Sequence, residues 1–444
     1  MSRCGLFGDL PETASREAKD RGKARMRSPV RDQPGWQTVD LDSLMEAGHP
    51  VRVIWSYVAG LDLGALEDRI AAREHTVGQA PVDPHLMLAL WLYATADGVG
   101  SARALARLCE SHVAYRWLCG GVSVNYHGLA DFRTAHGAVL DGLLVQSAAG
   151  LALAGVIKLD EVVQDGVRVR AAAGAGSFRR KSNLYKELRK AQRVVEQLKR
   201  ETDDDPDASN RRIKAARERA AGDRETRVAE ALTAMAELEA QRERRARTNK
   251  KKTEQQKQPR ASTTDPQARV MKMADGGYRP AYNCQVATVA QGQVVVALDV
   301  VAVGSDRGLA RPMVERLAKA YRRLPLRHLV DGGFTKNADI EWTAAHGIEM
   351  YAPAIRNKHK TDPWAPRRGD GPGVAAWRRR MQSDEGQVIY QRRAMGEWIN
   401  ARFRNWGLRQ FTVRGLEKAK AVLRLYALAN NILVGHRMLT AAAA

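Results

Sequence analysis

Residues 156–172, VIKLDEVVQDGVRVRAA, alternate β-branched with charged side chains and carry no helix-capping residue, which predicts a strand. A different pattern follows at once. Leu184, Leu188, Ala191, Val195 and Leu198 recur in steps of four and three, ETDDDPDASN (201–210) interrupts them, and Val228, Leu232, Met235 and Leu238 resume the stripe. That spacing predicts an antiparallel helical hairpin over 181–247 with charged outer faces. The polar stretch 248–265 has no apolar period and is expected to be mobile.

Strand signals then return in RPAYNCQVATVA (279–290) and QVVVALDVVAV (293–303), joined by the turn Gln291-Gly292. Helical spacing follows over 307–323, then the short apolar strand LRHLVDGGF (326–334), a helix over 337–346 and the strand IEMYAPAI (348–355). Beyond a proline- and arginine-rich stretch (357–373) come an amphipathic helix over 389–407 and a last helix over 415–436. The order suits a mixed α/β sheet whose first strand lies beside its fourth, and it does not suit an alternating βαβ barrel.

Upstream, residues 36–140 read as short helices. Asp83-Pro84 opens one that stops at Gly98, Ser101 caps the next, and Gly120-Gly121 ends it. Arg103, Arg107, Arg116 and Arg133 on these helices suit either a DNA-reading helix-turn-helix module or a purely structural helical domain. The organisation expected is a flexible basic arm (1–35), a helical N-terminal DNA-binding domain (36–150) and an α/β domain (151–440), with the hairpin and its linker (181–260) inserted after the first strand.

Length and composition bound the function. A chain of 444 residues exceeds the roughly 250–300 at which one core stops growing. No apolar stretch reaches the roughly 20 residues that span a bilayer, and the N-terminal residues lack a signal-peptide core. Cys4, Cys109, Cys119 and Cys284 form no CxxC pair, which argues against a disulfide framework or a structural zinc and suits a reducing cytoplasm. The net charge of +22 is concentrated between Arg179 and Arg260 and between Arg356 and Arg409, a distribution that favours a polyanionic partner over uniform solubilisation.

Within such a sheet, acids at the ends of neighbouring strands converge. Asp165 is expected to close the first strand and Asp331 the fourth, each followed by glycine that lets the chain turn, while Glu397 on the helix after the last strand completes a cluster. Three carboxylates close together repel one another unless they surround hard divalent cations, and two such ions about 4 Å apart clamp the oxygens of an in-line phosphoryl displacement. Taken alone, an Asp-Gly at a strand end is more often a turn residue. Among the other acids, Asp160 and Glu161 lie on the first strand, and Asp306 is assigned as a cap for the helix after it. His328 and His346 read as packing or surface residues, and Trp398 as packing its helix onto the sheet in preference to stacking on an unpaired base.

The motifs QDGVRVRA (164–171), STTDPQARVMKMADGGYRPAYNCQVAT (262–288) and HLVDGGFTKNADI (328–340), with Tyr390-x2-Arg393-x3-Glu397-x6-Arg404, resemble those of bacterial insertion-sequence transposases of the DDE class. The last matches that family's Y-R-E-K signature except that Arg404 stands where lysine is usual. Arg does not replace Lys at a site shaped for a compact ammonium. The resemblance implies a ribonuclease H-like catalytic domain. It makes Asp165, Asp331 and Glu397 the metal-binding catalytic triad for two Mg²⁺ ions, with Mn²⁺ able to replace them. It also assigns Tyr390, Arg393 and Arg404 to DNA. Offsets of three, four and seven would set these side chains along one face of a helix, where the alternative is a plain Arg393–Glu397 pair on an exposed surface.

The function implied is cleavage of double-stranded transposon inverted-repeat ends and joining of the 3′-OH to target DNA, by a homodimer on DNA in the bacterial cytoplasm and nucleoid. Other readings are a catalytically inactive transposase-derived DNA-binding protein, a coiled-coil architectural protein acting through the hairpin, and a metal nuclease that only hydrolyses.

Overall fold

The protein is described by a computed structural model covering residues 40–68, 70, 80–204, 211–248, 258–291, 293–354 and 362–443, so the expected arm over 1–35 lies outside the described residues. The first helices are α1 (Pro50–Ala59), α2 (Gly64–Glu67), α3 (Pro84–Ala96), α4 (Ala102–Ser111), α5 (Val113–Cys119), α6 (Tyr126–Ala135) and α7 (Gly137–Leu153). Their starts follow the capping residues. Asp83 Oδ1 accepts from the His85 N–H at 2.7 Å, Ser101 Oγ from Ala104, and Asn125 Oδ1 from Gly128. Helix α3 is buried along its whole length from Leu86 to Thr95, which explains why its apolar residues show no single face.

Strand β1 (Glu161–Arg170) sits in the middle of the sheet. After it come β2 (Phe178–Arg179), then helices α8 (Lys181–Asp204) and α9 (Arg211–Thr248) of the hairpin. The chain returns through β3 (Ala261–Ser262), which pairs with β2, and through β4 (Arg269–Lys272), β5 (Tyr278–Val289) and β6 (Val295–Val301). Helix α10 (Ala310–Tyr321), β7 (Arg327–Val330), α11 (Asn337–Ala345) and β8 (Glu349–Tyr351) complete the sheet. Its order is β4-β5-β1-β7-β8 with β6 also on β5. β1 runs antiparallel to β5 and parallel to β7, and β7 parallel to β8. The first long strand therefore lies beside the fourth, as the element order requires, in a ribonuclease H-like mixed sheet.

The C-terminal part is α12 (Pro372–Gln382), α13 (Asp384–Gln391), α14 (Ala394–Asn405) and α15 (Leu416–Ala443). Helix α15 joins the cores: Leu425, Leu428 and Ile432 pack with Ile54, Leu90, Trp91 and Tyr115 of the N-terminal helices, while Leu423 and Tyr426 pack with Val167, Val169 and Tyr282 of the sheet. Residues Leu41–Ala444 accordingly form one compact unit. Among the described residues no single helix is long and apolar enough to cross a membrane.

The structure corrects several expectations. Residues 258–265, expected to be mobile with the rest of 248–265, are held in place. Ala261, Ser262 and Asp265 are buried, Ser262 Oγ accepts from the Thr264 and Asp265 N–H groups, and Tyr282 donates to Asp265 at 2.6 Å. Order here comes from side chain–backbone hydrogen bonds, which leave no apolar period to read. The helix expected over 389–407 is broken at Arg392 and Arg393, where the Arg393 N–H bonds to the Tyr390 carbonyl and that of Gly396 to the Arg393 carbonyl. Helix α12 occupies part of what read as an irregular stretch and its aftermath. Of the arginines that suited either a DNA-reading module or a structural helical domain, Arg133 takes the structural role: its Nη1 donates to the Gly100 carbonyl at 2.6 Å and to Thr412 at 3.1 Å, and its buried guanidinium lies 4.7 Å from the Trp91 ring centre. Arg103, Arg107 and Arg116 remain exposed.

Candidate active site

The site is built on the parallel pairing of β1 with β7. Glu161 pairs with Arg327, Val162 with His328, Val163 with Leu329 and Gln164 with Val330. One residue beyond that pairing, Asp165 continues β1 and Asp331 follows the last residue of β7, near enough for the Asp331 charge to act on the Asp165 carboxyl. Asp331 keeps extended backbone geometry (φ −78°, ψ 174°), so strand alternation carries its side chain to the face that holds Asp165. Its Oδ1 accepts from the Gly333 N–H at 2.8 Å, a bond that turns the chain out of the strand.

Asp165 does not close its strand. β1 continues to Arg170, and Gly166 remains extended and paired with Gln285. Gly166 is needed for a different reason. A Cβ there would come within 2.5 Å of both Asp306 Oδ1 and Gln285 Nε2, so these two side chains occupy the space a side chain would take on the opposite face of the sheet.

Asp165 Oδ2 accepts from Asn400 Nδ2 at 2.7 Å, and Oδ1 from the Gly166 N–H at 2.9 Å. Burial pushes the Asp165 carboxyl above the usual carboxylate range. The Asn400 and Gly166 hydrogen bonds oppose the shift, the Asp331 charge adds to it and the Arg393 charge subtracts. Helix α14 reaches this close because of Gly396, where a Cβ would lie 2.8 Å from Val163 Cγ1 and 3.5 Å from Asp165 Cβ. Neither Gly396 nor Asn400 figured in the sequence reading. Their visible signal is position only: with Ile399 and Phe403 they form the buried face of α14.

Glu397 lies in the first turn of α14, exposed, and forms an i,i+4 ion pair with Arg393. Burial works against the Arg393 charge, but the hydrogen bond to Glu397 and the charges of Tyr390, Glu397 and Asp165 outweigh it and raise its pKa. Tyr390, at the end of α13, is raised chiefly by burial, with the Asp331 and Glu397 charges adding and Arg393 opposing. Tyr390, Arg393, Glu397, Asp165 and Asp331 thus share one electrostatic neighbourhood, although the broken helix means the signature side chains do not run along one helical face. Arg404 is exposed two turns beyond Glu397. Among the described residues no group of three His, Cys, Asp or Glu side chains is gathered closely enough to hold a metal ion.

The remaining assignments resolve by contact. Glu161 is paired with Arg327 and Arg392, Asp160 with Arg323, and Asp299 with Arg316 and Lys420. Asp306 is not a helix cap: α10 begins after Leu309 with no side-chain cap, and the Asp306 carboxylate is turned into the sheet. His328 is a buried packing residue, and His346 stacks on Trp342 at the surface. Trp398, expected to pack onto the sheet, is instead 61% exposed because the sheet-facing positions of α14 are Gly396, Ile399, Asn400 and Phe403.

Two aspartates in a half-buried setting, with burial and the Asp331 charge opposing ionisation of Asp165 and only the Arg393 charge nearby to offset them, form a set of hard oxygen donors whose chemistry suits a divalent cation. Residues 39–135 match the family model described as Transposase domain (DUF772), and residues 247–432 match Transposase DDE domain. The chain belongs to the insertion-sequence DDE transposases. A DNA transposase role, binding to transposon ends and the use of divalent metal ions follow at the level of that family. No curated protein and no solved structure matches.

Proposed function

We propose that the chain cuts transposon ends and joins them to target DNA, with Asp165 and Asp331 as the principal metal-binding residues and Glu397 as the third. The observation that supports this reading is the β1–β7 register, whose last pair, Gln164 with Val330, directly precedes Asp165 and Asp331. When bound, a pair of Mg²⁺ ions, or Mn²⁺ in their place, supplies Lewis acidity at the phosphate and lowers the pKa of the attacking water.

In the first displacement the water oxygen bonds to phosphorus and the P–O3′ bond breaks, leaving a 3′-OH and a 5′-phosphate. In the second, the freed 3′-oxygen bonds to a target phosphorus and displaces the target strand's own 3′-oxygen, so no covalent protein–DNA bond forms. Asn400 fixes the Asp165 carboxylate so that its oxygens stay aimed into the site. Arg393 carries a guanidinium between Glu397 and Asp165. Transfer of that group to a DNA phosphate releases Glu397 for the donor set. Tyr390 positions and does not attack.

Arg404, exposed two turns along α14, engages a further phosphate, and exposed Trp398 stacks on an unpaired base. Lys186, Lys190 and Arg193, recurring at helical spacing on the outer face of α8, suit the hairpin to grip duplex DNA. A homodimer bringing two ends together completes the proposal.

The test is Mg²⁺-dependent cleavage of inverted-repeat DNA together with strand transfer from pre-cleaved ends. Both activities should be lost in Asp331→Ala while DNA binding persists. Wild-type protein that binds the ends yet neither cuts nor joins them with Mg²⁺ or Mn²⁺ would support the catalytically inactive DNA-binding reading instead.

A further inference from the structure

The face of β1 opposite Asp165 carries an arrangement that the proposed chemistry does not use. Gln164, Gly166 and Arg168 alternate with Val163, Asp165 and Val167, and the antiparallel register sets Gln285 opposite Gly166 and Asn283 opposite Arg168. The Asp306 carboxylate lies among them. Its Oδ1 accepts from Asn283 Nδ2 at 2.7 Å and from Gln285 Nε2 at 2.8 Å, and its Oδ2 from Arg168 at 3.2 Å. Asn283, Gln285 and Asp306 are all buried.

The carboxylate also faces both glycines that follow the site aspartates. A Cβ at Gly166 would stand 2.5 Å from Oδ1, and a Cβ at Gly333 would stand 3.6 Å from Oδ2. Gly333 is the residue whose N–H holds Asp331. One side chain therefore ties β5 to β1 through three donors and lies beside the turn after β7. With its oxygens occupied by donors from three side chains, Asp306 is also not free to serve as a further metal ligand.

We propose that Asp306 is a positioning residue that sets the separation of Asp165 and Asp331 from the back of the sheet, and thereby the affinity of that pair for divalent cations. This rests on the reading of Asp165 and Asp331 as metal-binding residues. Loss of groups one layer behind a metal typically weakens binding by about 10- to 100-fold.

The experiment is Mn²⁺ binding to the full-length protein, followed by electron paramagnetic resonance, alongside thermal melting and end cleavage. Asp306→Asn should weaken Mn²⁺ binding by about tenfold or more, and raising the Mn²⁺ concentration should restore its cleavage rate. A folded Asp306→Asn protein with wild-type Mn²⁺ affinity overturns the proposal. Should that variant not fold, Arg168→Met, which removes the one partly exposed donor, decides the matter: a severalfold loss of affinity supports the proposal and an unchanged affinity overturns it. Wild-type protein whose Mn²⁺ binding is absent, or is unaffected by Asp165→Asn, would instead sink the metal-binding reading beneath it, and the proposal with it.

Discussion

Asn400 donates a 2.7 Å hydrogen bond to Asp165, tying the helix that bears Glu397 to the central strand. The bond favours the ionised carboxylate, against the burial that raises its pKa. Asn400→Ala should therefore raise the Asp165 pKa further, and the acidic limb of the pH–rate profile for end cleavage should move to higher pH. An unmoved limb with reduced rate throughout would assign Asn400 to packing alone.

Asp165 and Asp331 act as a unit in the proposed chemistry. Replacing either with Asn should lower cleavage by about a thousandfold or more, and the double variant should be scarcely worse than either single one. Mg²⁺ should raise the melting temperature of wild-type protein, since a ligand bound only by the folded state stabilises it, and should do so less or not at all in Asp165→Asn. Calorimetry and single-turnover cleavage check both.

Gly396 sits where α14 meets β1, and a methyl group there would lie 2.8 Å from Val163 Cγ1. Gly396→Ala should destabilise the fold by about 1–3 kcal/mol, the usual consequence of overpacking. It should also lower cleavage by more than the lost folded fraction explains, because the helix is pushed away from Asp165. Urea unfolding and active-site-normalised rates separate the two effects.

His328 is fully buried on β7, neither ring nitrogen has a hydrogen-bond partner among the described residues, and burial pushes its pKa down to about 4 from 6.5. Between those values the unfolded chain takes up a proton that the folded chain refuses. Stability is thus fully present above pH 6.5 and falls as the pH drops towards 4, by on the order of 3 kcal/mol. His328→Leu should flatten that part of the stability–pH curve, measured by urea midpoints between pH 7 and 4.5.

Trp398 is 61% exposed beside Glu397. Trp398→Ala should change folding stability by no more than about 0.5 kcal/mol. It should weaken binding to end DNA carrying an unpaired base by about 1–3 kcal/mol, with a smaller effect on fully paired duplex. Equal losses on both substrates would remove base stacking from its role.

The polarity pattern along the chain was enough to place β1, β5, β6, β7 and β8, the hairpin over 181–247 and the first of these strands beside the fourth, but not the short β2, β3 and β4. Alternation and helical spacing are local properties, and the order of the elements suits a mixed sheet with the first strand beside the fourth. Asp165 and Asp331 could be placed on or just after their strands for the same reason, although β1 runs on past Asp165 to Arg170. What packs across the sheet was not legible. The choice of glycine at 166 answers a carboxylate 140 residues later in the chain, Asp306. The burial of Arg133 answers Trp91 and Gly100, and the exposure of Trp398 follows from Gly396 claiming the contact with Val163. Such contacts join residues whose own neighbours in sequence carry no trace of them, because close approach depends on the shapes of both surfaces, which exist only once the chain has folded.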